Sequence, residues 1–254
     1  MRIPRGELIG VFRRLTGRFF YLFVLLLLLL ILYPYVGSGE AGQLFIVAIY
    51  IAIPLSAIYA TSYSRPGMLA SLVLGLPLIL AGVDFALGTN LVPQIARDVV
   101  SIVFFAFASL VALIHIIRQK RIEADTLYGA VCVYLMLGLT WFVLYSFIHH
   151  LDPGAFYCGA DQNLNGIIDS ADLLYFSFVT LTTLGYGDIT PVSANVRSLS
   201  FLEAATGTLY SAILIARLVG LYTAQFNADK EVSQMARLAD QDRLGANSTR
   251  DQST

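Results

Sequence analysis

Apolar residues in this chain arrive in long unbroken runs, with neither the alternation of a half-buried strand nor the three-to-four spacing of a surface helix. Run length therefore sets the first expectation. A helix rises about 1.5 Å per residue, so roughly 20 apolar residues cross the ~30 Å hydrocarbon layer of a bilayer. Runs close to that length occupy 19–36, 44–61, 68–87, 99–117, 127–148 and 199–224, which predicts six membrane helices. The polar segments divide the chain further. A basic N-terminal stretch covers 1–18, four spans fill 19–117, and a basic connector covers 118–126. A two-span unit at 127–224 encloses a long polar insert at 149–195. The tail 225–254 alternates in charge and ends in ANSTRDQST, which reads as a short helical extension fraying into a disordered end, too short for a soluble ligand-binding domain.

Composition agrees with the pattern. Of 254 residues 57% are hydrophobic and 13% charged, with a mean hydropathy of +0.72, a balance outside the range of soluble domains. The formal net charge of −1 gives no reason to expect a nucleic-acid partner, so only the placement of charges informs. Arg2, Arg5, Arg13, Arg14 and Arg18 precede the first run, Arg65 follows the second, and Arg118, Lys120 and Arg121 follow the fourth. The positive-inside rule then puts both termini in the cytoplasm and the 149–195 insert outside. The first run also has the layout of a signal sequence, although no A-x-A site follows it, and cleavage would leave the downstream orientation unchanged. Cys132, inside an apolar run, reads as packing. Cys158, in a polar loop, reads as a free thiol or a cross-link between subunits.

Inside the insert the stretch TLTTLGYGDITP, residues 180–191, is polar and glycine-punctuated in a greasy chain. Non-helical backbone at membrane depth is tolerated only where it is buried in protein or lines a watery path. Backbone carbonyls flanked by glycines are good ligands for a dehydrated monovalent cation, and glycines at 185 and 187 permit the angles that turn successive carbonyls toward one axis. Thr183 could add a hydroxyl ligand, and the Tyr186 ring could brace the strand. One chain cannot encircle an ion in this way. An ordinary tight turn would also use glycine and aspartate, but this one follows a Thr/aromatic helical stretch between the last two spans.

The stretch YFSFVTLTTLGYGDITP resembles the pore helix and T-x-G-Y-G selectivity filter of the potassium channel family, of the six-span, single-pore-loop, prokaryotic type. LEAATGTLYSAILIARLVGLY is similar to its pore-lining inner helix. The resemblance implies an all-α membrane fold with six transmembrane helices and a re-entrant pore helix, assembled as a homotetramer in the lipid bilayer of the plasma, or cell inner, membrane. It implies potassium ions held by Thr183, Leu184, Gly185, Tyr186 and Gly187. Thr182, Val179, Asp188 and Glu203 would support the filter, and Gly207 would be a gating hinge. Leu184 stands where the family more often has Val, and both offer the same carbonyl. Val179 is apolar where some bacterial members carry a buried Glu, which removes one partner from Asp188. The family conducts passively, so no enzymatic activity is expected.

A voltage sensor needs several arginines along one helix, at about 2.3 kcal/mol per charge per 100 mV, and the fourth run has none between Arg97 and Arg118, so weak voltage dependence is expected. His115 reads as interfacial, and Asp84 as a hydrated helix end or a buried functional acid. Glu203, early in the last run, is placed to hydrogen-bond groups that support the filter. His149, His150 and Cys158 would be the basis of a rival metal or haem enzyme, but that trio lacks a fourth ligand at useful spacing.

DQNLNGIIDSAD, residues 161–172, matches the twelve-residue calcium loop, with oxygen side chains at positions 1, 3, 5, 9 and 12 and glycine at 6. It looks like an EF-hand loop. Asp161, Asn163 and Asn165 would give side-chain oxygens, Ile167 its carbonyl, Asp169 a direct or water-mediated ligand, and Asp172 the closing carboxylate, with Gly166 at the bend. Position 12 is Asp, as in dockerin-type loops, and CGA is a poor entering helix. The competing reading is a solvated polar turn in which Asp169 or Ser170 caps the pore helix.

Overall fold

Backbone N–H and C=O groups that meet no water have to pair within their own segment, and the apolar runs do so as helices. In the computed structural model, which describes residues 17–33, 40–62, 65–89, 91–119, 121–159 and 168–251, these helices are α1 (Arg18–Leu32), α2 (Glu40–Thr61), α3 (Arg65–Ala86), α4 (Gln94–Arg118), α5 (Ala124–Leu151), α6 (Ser170–Leu181) and α7 (Ala194–Asp251). Among the described residues, four stretches are long and apolar enough to cross a membrane: Gly67–Phe85, Gln94–Arg118, Ala124–Leu151 and Ala194–Met235. Shorter apolar helical stretches are Arg18–Leu32, Ile51–Ala60 and Ser170–Leu181. The chain divides into two compact units, Met1–Gln119 with Glu123–Ser211, and Lys120–Ile122 with Ala212–Thr254.

In the first unit α2 packs on α3, α3 on α4 and α4 on α5, while α1 lies against α2 and α5, and α6 lies against α5. The face of α1 that carries Phe19, Leu22 and Leu26 is buried, at the spacing one helical face requires. Phe19 lies on Gly129 of α5, where an added Cβ would stand 3.0 Å from its ring. Leu69, Leu72, Val73, Leu76 and Leu80 of α3 remain exposed. A helix apolar on both faces belongs in hydrocarbon.

The α3–α4 loop is tied by Asp84. Its carboxylate accepts from the Thr89 hydroxyl and from the backbone N–H groups of Leu91 and Val92, both at 3.0 Å, and Arg97 lies 4.0 Å away. Asp84 is only 8% exposed, so it is a loop-organising acid and not a hydrated end. His115 carries a ring contact to Phe19 and a 2.8 Å hydrogen bond with Gln119 near the end of α4.

Two features depart from the sequence reading. The fold is not purely helical, because β1 (Phe156–Cys158) and β2 (Ile189–Pro191) pair antiparallel, with Tyr157 opposite Thr190, and so join the two ends of the insert. The last helix also continues to Asp251, where the sequence reading has only a short helical extension before a disordered end. Residues 225–251 contain no proline, and Ala, Gln and Arg recur there among interspersed opposite charges, which favours helix.

A core of Tyr145, Ala155, Phe156, Leu173, Phe176, Ile189 and Val196 gathers α5, β1, α6, β2 and the start of α7. Tyr145, Phe156 and Phe176 meet edge to face with centroids 5.1–5.7 Å apart, each pair contributing about 0.5–1.5 kcal/mol beyond its area. This cluster holds α6 in place.

Candidate functional site

The site is built at the two ends of α6. At its start Asp169 is the N-cap: one carboxylate oxygen, Oδ1, accepts from the backbone N–H groups of Ala171 (2.8 Å) and Asp172 (2.9 Å). Asp172 Oδ2 returns the bond to the Asp169 N–H at 3.0 Å, closing a capping box. At its other end the chain turns back sharply. Thr183 N–H reaches Thr180 O at 2.9 Å, and the Val179 carbonyl accepts from Leu184 N–H at 2.9 Å and Gly185 N–H at 3.4 Å. Thr182 Oγ1 donates to Phe178 O at 2.7 Å, and Thr183 Oγ1 to Thr182 O at 2.6 Å. Val179 thus supports the turn through its backbone.

Beyond the turn the backbone alternates. Thr183, Gly185 and Gly187 have φ of +58°, +56° and +79°, while Leu184 and Tyr186 between them do not enter that region. Thr183 is the one non-glycine with positive φ among the described residues. The sign of φ therefore switches at every residue from Thr183 to Gly187. For an L-residue each left-handed position costs about 1–2 kcal/mol, which glycine avoids. Leu184 and Tyr186 are 55% and 68% exposed in the single chain.

Asp188 closes the stretch. It accepts from the Tyr175 hydroxyl and, at 2.9 Å, from the Ile189 N–H, and its carbonyl takes the Gly159 N–H at 3.2 Å. Burial opposes its ionisation, but the Tyr175 phenol and the backbone donors outweigh burial and hold the carboxyl below the usual carboxylate range. Burial and the Asp188 carboxylate push the Tyr175 phenol up to about 12.

Behind α6 lies Glu203 of α7, fully buried. Its two oxygens stand 2.6 Å from the Ser177 hydroxyl and 2.6 Å from the Tyr145 hydroxyl. One turn further on, Gly207 allows α7 to touch the end of α6, since an added Cβ would stand 2.0 Å from the Leu181 carbonyl oxygen. Tyr134 OH donates to that carbonyl at 3.4 Å, and Tyr210 OH donates to Ala130 O at 2.6 Å.

Tyr175, Ser177 and Tyr145 are absent from the sequence-based site. Signals for them exist: a buried acid in an apolar helix demands hydroxyl donors, and Tyr175 precedes Val179 by one helical turn on the same face. The calcium-loop residues Asp161, Asn163, Asn165, Gly166 and Ile167 lie outside the described residues. Asp169 and Asp172 are described and form the cap, and the loop is entered from strand β1. His149 makes an edge contact with Phe156, whereas His150 bonds to Asp98 at 2.8 Å and Gln94 at 2.7 Å. These histidines thus have different partners, Cys158 forms no disulfide within the chain, and no group of three or more His, Cys, Asp or Glu among the described residues could hold a metal.

The chain is a multi-pass, mostly helical membrane protein. A family described as "Ion channel" matches residues 129–224, from α5 into α7. Protein LctB of Geobacillus stearothermophilus is 32% identical over 103 residues, 39% of this chain and 74% of that protein. Two-pore potassium channel 4 of Arabidopsis thaliana is 33% identical over 87 residues, and the match spans 34% of this chain and 26% of the plant protein. No solved structure matches. The chain belongs to the ion channel family.

Proposed function

We propose that this chain is one subunit of a homotetrameric potassium-selective channel, with the carbonyls of residues 183–187 as its filter. The observation that carries the reading is the alternation of φ at Thr183, Gly185 and Gly187 directly after a capped, buried α6. Four such strands around an axis would replace the hydration shell of potassium. Exposed apolar residues of α7 within the first unit, Phe201, Leu202 and Leu209 at 45–68%, support the tetramer as surface for neighbouring subunits. The arginine distribution supports six spans in the plasma membrane with both termini cytoplasmic. α4 carries no arginine between Arg97 and Arg118, which supports conduction that is not strongly voltage-gated.

Calcium at the 161–172 loop, outside the membrane, is a second element of the proposal. It rests on the spacing of the oxygen donors; the cap itself engages one oxygen of each of Asp169 and Asp172. Bound calcium would tie the insert to the start of the pore helix.

The test is cation flux in liposomes holding the purified protein. Potassium should pass well ahead of sodium, and Gly185→Ala should abolish or de-select the flux, because alanine at φ +56° is strained by about 1–2 kcal/mol per subunit. Equal passage of sodium, or an alanine variant like the parent, would refute the filter.

A further inference from the structure

Behind α6 three oxygens stand in a row: Glu203 Oε1, Ser177 Oγ and Gly138 O, separated by 2.6 Å and 2.9 Å. Each contact needs a hydrogen between its two oxygens, so the row needs two protons. A carbonyl brings none and a serine hydroxyl brings one. Were Ser177 to donate to an ionised Glu203, Ser177 Oγ and Gly138 O would face each other at 2.9 Å with lone pairs only. The second proton therefore belongs to Glu203. Its other oxygen, Oε2, stands 2.6 Å from the Tyr145 hydroxyl and accepts the phenol's proton.

The surroundings agree with this count. Glu203 is fully buried, and none of the ion pairs among the described residues involves it. The titratable groups that face it are the phenols of Tyr145 and Tyr134 on α5, neither a cation at neutral pH, and α6 contributes the Ser177 hydroxyl. An ionised carboxylate would bear its desolvation cost against two neutral hydroxyl donors and no cation.

We propose that Glu203 is a resident neutral carboxylic acid whose proton is donated to Ser177. It closes a relay in which Tyr145 donates to Glu203, Glu203 to Ser177 and Ser177 to the Gly138 carbonyl, binding α7 to α5 twice, directly at Tyr145 and through α6 at Gly138. Glu203 is thus a positioning residue for the segment that ends in the filter turn, an inference whose functional part rests on the channel reading above. Ionisation would turn the Ser177 proton toward Glu203 and release Gly138, so one proton sets which helices the relay joins.

The experiment uses the full chain in liposomes and two variants. Glu203→Gln keeps the shape, its amide donating to Ser177 and its carbonyl accepting from Tyr145, and should retain potassium flux within about 2-fold of the parent. Glu203→Val removes both contacts and should lower flux by at least about 10-fold, since buried networks lose more than single bonds when broken. Infrared spectra of carboxyl-labelled protein at neutral pH should show a protonated-carboxyl stretch in the parent that is missing from Glu203→Gln. A parent lacking that stretch, or a Gln variant as impaired as the Val variant, overturns the proposal. Should Val fail to assemble, the parent and Gln spectra still decide it. Absence of potassium flux in the parent would refute the channel reading alone, because the infrared band reports the proton independently.

Discussion

Replacing Gly207 by alanine sets two effects of opposite sign against each other. Alanine is the better helix former by about 1 kcal/mol, so where a helical glycine faces open space, as Gly220 does, the substitution should stabilise. At Gly207 the new Cβ would stand 2.0 Å from the Leu181 carbonyl oxygen and 3.0 Å from the Leu181 carbonyl carbon and Cδ1. Ordinary carbon–oxygen contacts start at about 3.3 Å, so the helices have to part locally by roughly 1.3 Å. The obstructing atom is backbone two residues before Thr183, and it cannot swing aside as a side chain would. Overpacking of this kind costs about 1–3 kcal/mol, which leaves a net loss of up to about 2 kcal/mol after the helix gain. For a chain of this size that is a fall of up to about 8 °C in Tm. Thermal unfolding in one detergent, followed by the fluorescence of the single tryptophan Trp141, which stacks on Tyr145 at 6.1 Å, measures it. Gly207→Ala should melt below the parent while Gly220→Ala melts at or above it, and flux should fall only in the former. A Gly207→Ala protein as stable as Gly220→Ala would show that α7 does not touch α6 there and that the glycine serves bending instead.

The other predictions concern the two ends of the insert. Asp188 is ionised more easily in the folded chain than in the unfolded one, so its contribution to stability is present above the unfolded pKa of about 4 and is lost as pH falls through the lower folded value. Tyr175→Phe removes the phenol donor and leaves burial in place, so it should cost roughly 0.5–1.5 kcal/mol and move the acid loss of flux to higher pH; an unchanged acid limb would count against the Tyr175–Asp188 brace. Calcium should raise the Tm of the parent with half-effect at about 10⁻⁴–10⁻³ M, and at ten times the dissociation constant the gain is about 1.4 kcal/mol per site. Asp161→Ala, which leaves the Asp169–Asp172 cap intact, should abolish that gain, and a parent indifferent to calcium would leave the loop as a polar turn.

What could be read from the chain follows from how local each feature is. Helices α3, α4 and α5 stood out because apolar runs near 20 residues have one structural outcome in lipid, and glycines at 185 and 187 announced left-handed backbone because few other residues occupy it. Thr183 gave no such warning, since its φ of +58° comes from the turn that Val179 O organises. The paired strands β1 and β2 escaped because three residues carry no period. Asp84 looked like a hydrated end because the donors that bury it belong to a loop five to eight residues away. Glu203 shows the boundary best. A lone acid in an apolar helix states that it needs donors, yet Ser177 and Tyr145 lie 26 and 58 positions away, and nothing near either residue names the other. Their meeting is set by α5, α6 and α7 packing around the aromatic cluster of Tyr145, Phe156 and Phe176. The same cluster that anchors α6 thereby fixes the proton count at Glu203. Loosening it at Phe176 should therefore disturb the relay and the filter turn together, although Phe176 touches neither the Glu203 carboxyl nor the filter carbonyls through any hydrogen bond.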